Sequence, residues 1–168
     1  CMLQNGAKKV YAVDVGYGQL AWKLRSDQRV VCLERTNARY LTHAEVPEEP
    51  DFASVDVSFI SLKLILPAIA GLLRDGGEVV CLIKPQFEAG KENVGKKGVV
   101  RDPGIHLEGL EHFLDHAKEN KFTGLGVTYS PLRGPGGNIE NLGYLQRGEG
   151  GPSIPDLKGL VEESHQAL

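Results

Sequence analysis

EVVCLIKPQFE, residues 78–88, decides how this chain is read. Glu78 to Ile83 is a short apolar run with two β-branched valines and an isoleucine, which suits a buried strand. Lys84 closes that strand with a charge, and Pro85 prevents it from continuing. A second segment, Asp56-Val57-Ser58-Phe59-Ile60-Ser61-Leu62, follows another strand-like run, Phe52 to Val57, and again carries a charge at its end. In open α/β sheets ligands bind outside the carboxyl ends of parallel strands. An aspartate and a lysine delivered to one edge by separate strands therefore point to an active site.

Outward from these two segments, strands and helices alternate. KVYAVDV, from Lys9 to Val15, is a strand ending at Asp14, preceded by a last helical turn, Cys1 to Asn5, capped by Gly6. Gln19 to Arg25 is a short helix, and RVVCL, from Arg29 to Leu33, is a strand ending at Glu34. A short polar helix or loop follows through Tyr40, and Pro47 to Pro50 breaks the chain. Leu62 to Leu73 has helical apolar spacing and stops at Asp75-Gly76-Gly77. Pro85 to Arg101 reads as a long polar loop, and Asp102-Pro103 as the cap and first residue of a helix running to about Asn120. Phe122 to Tyr129 and Asn141 to Leu145 are two closing strands joined by the glycine-rich Leu132 to Asn138. Gly148 to Pro155 is a linker, and Asp156 to Leu168 a small terminal helix. The expected architecture is α/β, a mainly parallel sheet with helices on both faces and an antiparallel strand near the C-terminus. That order of elements resembles the pattern of the Rossmann-like methyltransferases.

The 168 residues are enough for one domain with a core, and 41% hydrophobic with 24% charged residues predicts folding rather than disorder. A net charge of -3 gives no global attraction to nucleic acid, so any such binding needs a local basic patch. Cys1, Cys32 and Cys81 have no metal or redox spacing; Cys32 and Cys81 lie in strand-like runs and read as buried free thiols, consistent with a reducing cytoplasm. No apolar run approaches a membrane span and no signal peptide is visible, so no membrane partner is expected. Asp14 has the position of the acidic residue that follows the second strand of a dinucleotide-type fold, but only Gly6 precedes it. Either Asp14 is a plain strand-end aspartate, or the first strand and its glycine loop lie upstream of Cys1. Loss of that central strand would weaken the fold.

Six ordered motifs carry a resemblance: YAVDVGYGQL (Tyr11 to Leu20), LERTNAR (Leu33 to Arg39), DVSFISL, IKPQFEAG (Ile83 to Gly90), GVVRDP (Gly98 to Pro103) with His106, and SPLRGPGGNIE (Ser130 to Glu140). The chain resembles the TlyA family, the FtsJ-like RNA ribose methyltransferases that also bear the label haemolysin A. The likeness covers residues 1–147 as one methyltransferase domain and leaves 148–168 as linker and short helix. It implies S-adenosyl-L-methionine as cofactor, ribosomal RNA or ribosomal subunits as partners, and methyl transfer to a ribose 2'-hydroxyl. It also implies a lysine, aspartate, lysine, glutamate set, of which Asp56, Lys84 and Glu140 match the last three members. The first lysine, the glycine loop and an N-terminal RNA-binding module would all precede residue 1. The isolated fragment is therefore expected to be inactive and to bind cofactor poorly.

Methyl transfer to a hydroxyl needs an aligned oxygen nucleophile that loses its proton, so positioning and a base or charge stabiliser are required. Lys84 suits that task where burial and neighbouring cations lower a lysine's pKa, with Asp56 and Glu140 holding the amine and hydroxyl in line. The resemblance gives Asp14 the cofactor's ribose hydroxyls and Asp56 its amino group; Glu34 and Asn37 border adenine or ribose, or else are a solvated glutamate and a capping asparagine. Lys84, Lys91, Lys96, Lys97 and Arg101 against Glu88 and Glu92 make the 84–101 loop +3, a flexible basic loop that can grip RNA phosphates or simply solubilise. Arg133 and its glycines border the same edge. His112 and His116 share a helix face, but without further ligands no metal is expected; His43 and His165 carry no signal, and Trp22 and the tyrosines read as packing residues. Two other readings stand beside the enzyme: an inactive RNA-binding remnant, and a membrane-active haemolysin, which the lack of a spanning or strongly basic amphipathic helix disfavours. A protein or small-molecule substrate is also compatible with the fold.

Overall fold

β1 (Val10–Val13) and β2 (Val30–Leu33) pair in parallel from Val10↔Val30 to Val13↔Leu33 in the computed structural model, which describes residues 1–149, 151 and 156–168. They belong to the first of two compact units, Cys1–Glu49; the second is Pro50–Leu168. The 3-10 turn Leu3–Asn5 ends at Gly6, whose φ of 93° is the left-handed cap the sequence suggested. α1 is the single turn Trp22–Arg25 rather than a helix from Gln19. One turn has no second layer of side chains to bury, and Trp22 is 77% exposed. Tyr17 and Tyr40 are also exposed, Tyr17 with the Arg35 guanidinium 4.4 Å above its ring. These three aromatics are not packing residues. Both strands are half-buried throughout, so Cys32 is not the sealed thiol expected of a core strand; its Sγ lies 3.3 Å from Glu34 Oε1.

In the second unit β3 (Phe52–Val55), β4 (Glu78–Ile83), β5 (Phe122–Arg133) and β6 (Ile139–Arg147) form one sheet in the order β3-β4-β6-β5. β3 pairs with β4 in parallel, and β6 runs antiparallel to both β4 and β5, the second pairing in line with the lack of a helix between β5 and β6. The whole fold is thus α/β with mixed pairing. α2 (Leu62–Leu72), α4 (Pro103–Glu119) and α5 (Leu157–Ala167) follow the apolar periodicity. Ser61 caps α2, Asp102 caps α4 through Gly104 N with Pro103 at the first position, and Asp156 caps α5. The linker expected over 148–155 includes residues 150 and 152–155, which lie outside the described residues.

β4 alternates half-buried and buried residues, with Val79, Cys81 and Ile83 turned to the core beside Leu145, Leu62, Leu66 and Phe113. Cys81 is fully buried, and that burial, with a smaller push from the Glu88 carboxylate, drives its thiol up to about 12. Gly143 of β6 owes its identity to this packing. A Cβ there would sit 2.5 Å and 2.7 Å from the Phe113 ring and 3.2 Å from Ile83 Cδ1. Gly143→Ala is therefore expected to overpack the core and cost about 1–3 kcal/mol, read as a lowered urea midpoint with an unchanged m-value.

Candidate active site

Lys84 is aimed by its neighbours. It follows the last residue of β4, and the proline after it disfavours helical backbone, holding Lys84 extended at φ −104° and ψ 112°. Pro85 then opens α3 (Pro85–Glu88), a single turn. The expected polar loop from Pro85 thus begins with helix, and a 3-10 turn follows at Lys91–Asn93. The Lys84 side chain is only 12% exposed; its Nζ lies 2.6 Å from Asp56 Oδ1 and donates to Ser58 Oγ at 3.1 Å. Asp56, just beyond β3, is 71% exposed. A pair open to water on its aspartate side contributes roughly 0–1 kcal/mol to stability, so its consequence is orientation rather than strength.

Glu140 reaches the same rim from β6. The last β4–β6 pair is Ile83↔Asn141, so Glu140 stands one step beyond it, beside Lys84. Glu140 is 7% exposed and its Oε1 has no hydrogen-bond partner. Burial pushes its carboxyl above the ordinary 4.5; Lys84 opposes that shift and Asp56 reinforces it. The carboxylate fills the place of a side chain at Gly134, where a Cβ would lie 2.0 Å from Oε1. The three side chains singled out from distant segments thus share one rim.

Segment 84–88 meets the β3–α2 loop at three places. Lys84 holds Asp56 and Ser58; the rings of Phe87 and Phe59 stand 5.3 Å apart, tilted by 52°; and Glu88 accepts from Ser61 Oγ at 2.7 Å and from Leu62 N at 2.9 Å. Glu88 therefore places a carboxylate on the N-terminal turn of α2, where exposed amide N–H groups favour an anion. Phe59 is 91% exposed and has φ 64°, a strained conformation for an aromatic residue that persists where surroundings impose it. The roles of Ser58, Phe59, Glu88 and Gly134 escaped the sequence reading. Nothing local marks a carboxylate that caps a helix 26 residues upstream.

The basic segment is held rather than loose. Asn138, 1% exposed, accepts from Val100 N and donates to Gly98 O and Pro135 O, tying the segment to the glycine turn. His106 Nε2 lies 2.8 Å from Val100 O, and its Nδ1 meets His165 Nε2 at 3.1 Å, so His165 has a structural partner after all. Between these pins Lys96, Lys97 and Arg101 line an open groove of about 450 Å³ with Glu92 and Asp102. Lys91, Lys96, Lys97 and Arg101 are all exposed. Arg133 is exposed too, but its guanidinium donates to Gly137 O at 2.7 Å and to Leu168 O. No group of three or more metal-ligating side chains gathers among the described residues.

In the first unit Asp14 and Glu34 follow paired strand ends, Val13↔Leu33. Asp14 is exposed, and its Oδ1 accepts from Gly16 N at 2.9 Å. Glu34 is not a solvated glutamate: it is 10% exposed, ion-paired with Arg25, and accepts from Gly18 N at 3.0 Å. Asn37 caps the 3-10 turn Ala38–Tyr40 by accepting from Arg39 N. Of the three, Asp14 alone keeps an exposed carboxylate oxygen outside these internal bonds.

A sequence model of the FtsJ-like methyltransferase family matches residues 1–147. "Putative rRNA methyltransferase YqxC" of Bacillus subtilis (strain 168) is 51% identical over 174 residues, covering 100% of this chain and 62% of that protein. "16S/23S rRNA (cytidine-2'-O)-methyltransferase TlyA" of Mycobacterium tuberculosis (strain ATCC 25618 / H37Rv) is 45% identical over 167 residues, covering 99% of this chain and 62% of that protein. The solved structure "Putative hemolysin from Streptococcus thermophilus" superposes with a TM-score of 0.92 at 48% identity, over 99% of this chain and 61% of that one. The chain thus spans 62% of the length of these two curated relatives.

Glu140 gives a prediction with a sign. A carboxyl whose folded pKa is raised binds protons more readily folded than unfolded, so wild-type stability falls as pH rises from the ordinary 4.5 through the raised folded value. Glu140→Gln removes that loss. The variant is expected to gain stability relative to wild type between pH 4 and pH 7, as measured by urea unfolding at each pH; an equal difference at both would contradict the burial argument.

Proposed function

The chain belongs to the FtsJ-like methyltransferase family, and from that premise we propose that the whole protein transfers a methyl group from S-adenosylmethionine to a ribose 2'-hydroxyl of ribosomal RNA, free or within a ribosomal subunit. The observation that carries this reading is the state of Lys84. Its ammonium has three donors, of which Asp56 Oδ1 and Ser58 Oγ occupy two. The third is left for an incoming hydroxyl oxygen, where it stabilises negative charge as the proton leaves. Asp56 holds the amine in place, and Glu140, neighbouring both charges, is the acceptor for the departing proton. Residues 1–147 are taken as the domain that does this, with 148–168 appended to it.

S-adenosylmethionine supplies the methyl group when bound. Asp14 suits its ribose hydroxyls, because an exposed carboxylate at the end of a parallel strand is the acceptor such hydroxyls need. Glu34 would reach a cofactor only by giving up Arg25 and the Gly18 amide, whereas Asn37 is exposed and uses only its Oδ1 in the cap. Asp56 also has the charge to meet the cofactor's amino group.

RNA recognition falls to the groove of Lys96, Lys97 and Arg101 with nearby Lys91. These exposed cations suit phosphates, which fix register without reading sequence. Arg133 serves the glycine turn first and RNA second. Phe59, next in sequence to the Lys84 acceptor Ser58, offers an exposed ring on which an unstacked base can lie. No helix among the described residues is long and apolar enough to cross a membrane. A cytoplasmic protein acting on ribosomes is the reading we adopt.

Two measurements test it. The intact protein should move labelled methyl from S-adenosylmethionine into ribosomal RNA, and Lys84→Ala or Asp56→Ala should lower transfer at least about 100-fold with folding retained. Normal turnover in either variant would refute the site. Separately, Lys96→Ala, Lys97→Ala and Arg101→Ala should each weaken RNA binding and reduce the slope of log affinity against log salt by about one, with no change in melting temperature beyond a degree or two.

A further inference from the structure

The segment that carries Asp56 has little backbone to hold it. Between β3 and α2, residues 56–60 make no backbone hydrogen bond among the described residues; the first is Leu64 N donating to Ser61 O. Phe59 in this segment has positive φ, a conformation that needs outside support. The path of the loop is therefore set by side chains, and those come from residues 84, 87 and 88. Of the three contacts, the Lys84–Asp56 pair is open to water on the aspartate side, and the Phe59 ring is almost wholly exposed. The contact at Glu88 differs. It is part-buried, both carboxylate oxygens are used, one donor is a backbone N–H of the first turn of α2, and the other is the hydroxyl of that helix's own cap residue. Ser61 Oγ in turn accepts from Lys63 N at 3.1 Å, so Glu88 sits at the head of a short chain of hydrogen bonds that starts the helix.

We propose that Glu88 is a positioning residue for Lys84: its carboxylate clips the start of α2 to the turn after β4, and so fixes the distance between the Lys84 ammonium and its two acceptors, Asp56 and Ser58. Geometry favours this. Glu88 ends the short α3 that Lys84 precedes as its N-cap, while Ser61 lies five residues beyond Asp56 on the same loop. Breaking the clip frees both arms at once. The effect on methyl transfer rests on the role proposed above for Lys84; the clip itself does not.

The test uses the chain and the intact protein with Glu88→Ala and Glu88→Gln, the second keeping shape and one carbonyl acceptor while removing charge. Competitive amine labelling followed by mass spectrometry reads the exposure of each lysine. Lys84 labelling is expected to rise several-fold in Glu88→Ala, with Lys91, Lys96 and Lys97 unchanged and Glu88→Gln intermediate. In the intact protein kcat for transfer into ribosomal RNA should fall by about 100-fold in Glu88→Ala, the size of loss expected when a reacting group is displaced by about an ångström, with KM little altered and partial rescue in Glu88→Gln. Wild-type labelling of Lys84 in both variants would overturn the proposal, as would a uniform rise across all lysines, which signals general loosening. If the intact wild type transfers no methyl but Glu88→Ala still unmasks Lys84, the clip stands and the methyltransferase role of Lys84 falls.

Discussion

The arrangement of the polar rim follows from one register: β3 and β4 run parallel with Val55 opposite Cys81, and β6 returns antiparallel with Asn141 opposite Ile83. Parallel strands deliver their carboxyl ends to one edge, and an antiparallel strand begins where they stop. This register brings the chain positions of Asp56, Lys84 and Glu140 to one edge. A shift of β6 by one residue would turn Glu140 to the other face of the sheet and leave the rim with a single carboxylate. The core that fixes the register, with Val79, Cys81 and Leu145 fully buried, therefore does its functional work at a distance.

Around that edge the polar contacts set position more than stability. The Lys84–Asp56 pair is too wet to hold a fold together, and Glu140 is penalised by its burial. The site keeps these costs local by resting on groups with full sets of partners. Asn138 uses both ends of its amide to bind the basic segment to the glycine turn, and Gly134 makes room for the Glu140 carboxylate by having no side chain. The glycine-rich turn is therefore a mould for one carboxylate as well as a reversal of the chain.

Much of this was legible in the sequence. Apolar runs ending in charges marked the strand ends, Asp102-Pro103 marked the start of α4, and the missing helix between the last two strands marked their antiparallel pairing. What escaped has a common physical cause: it depends on partners far away along the chain. Glu88 looked like one charge in a loop, yet it caps a helix that begins at Leu62. Glu34 read as a border to adenine or ribose or else as a solvated glutamate, yet Arg25 and the Gly18 amide surround it. His165 carried no pattern, yet it meets His106. Trp22 failed for the opposite reason, since a large apolar residue promises burial only if its helix is long enough to present a face.

Cys81 has a practical corollary. A thiol with no exposure and a pKa near 12 carries almost no thiolate at neutral pH, whereas Cys1 is exposed and Cys32 is half-buried. An alkylating probe will therefore mark Cys1 and Cys32 while the native core is closed, and take Cys81 only when β4 comes away from its neighbours. The chain carries its own clock for sheet opening, readable without any engineered label.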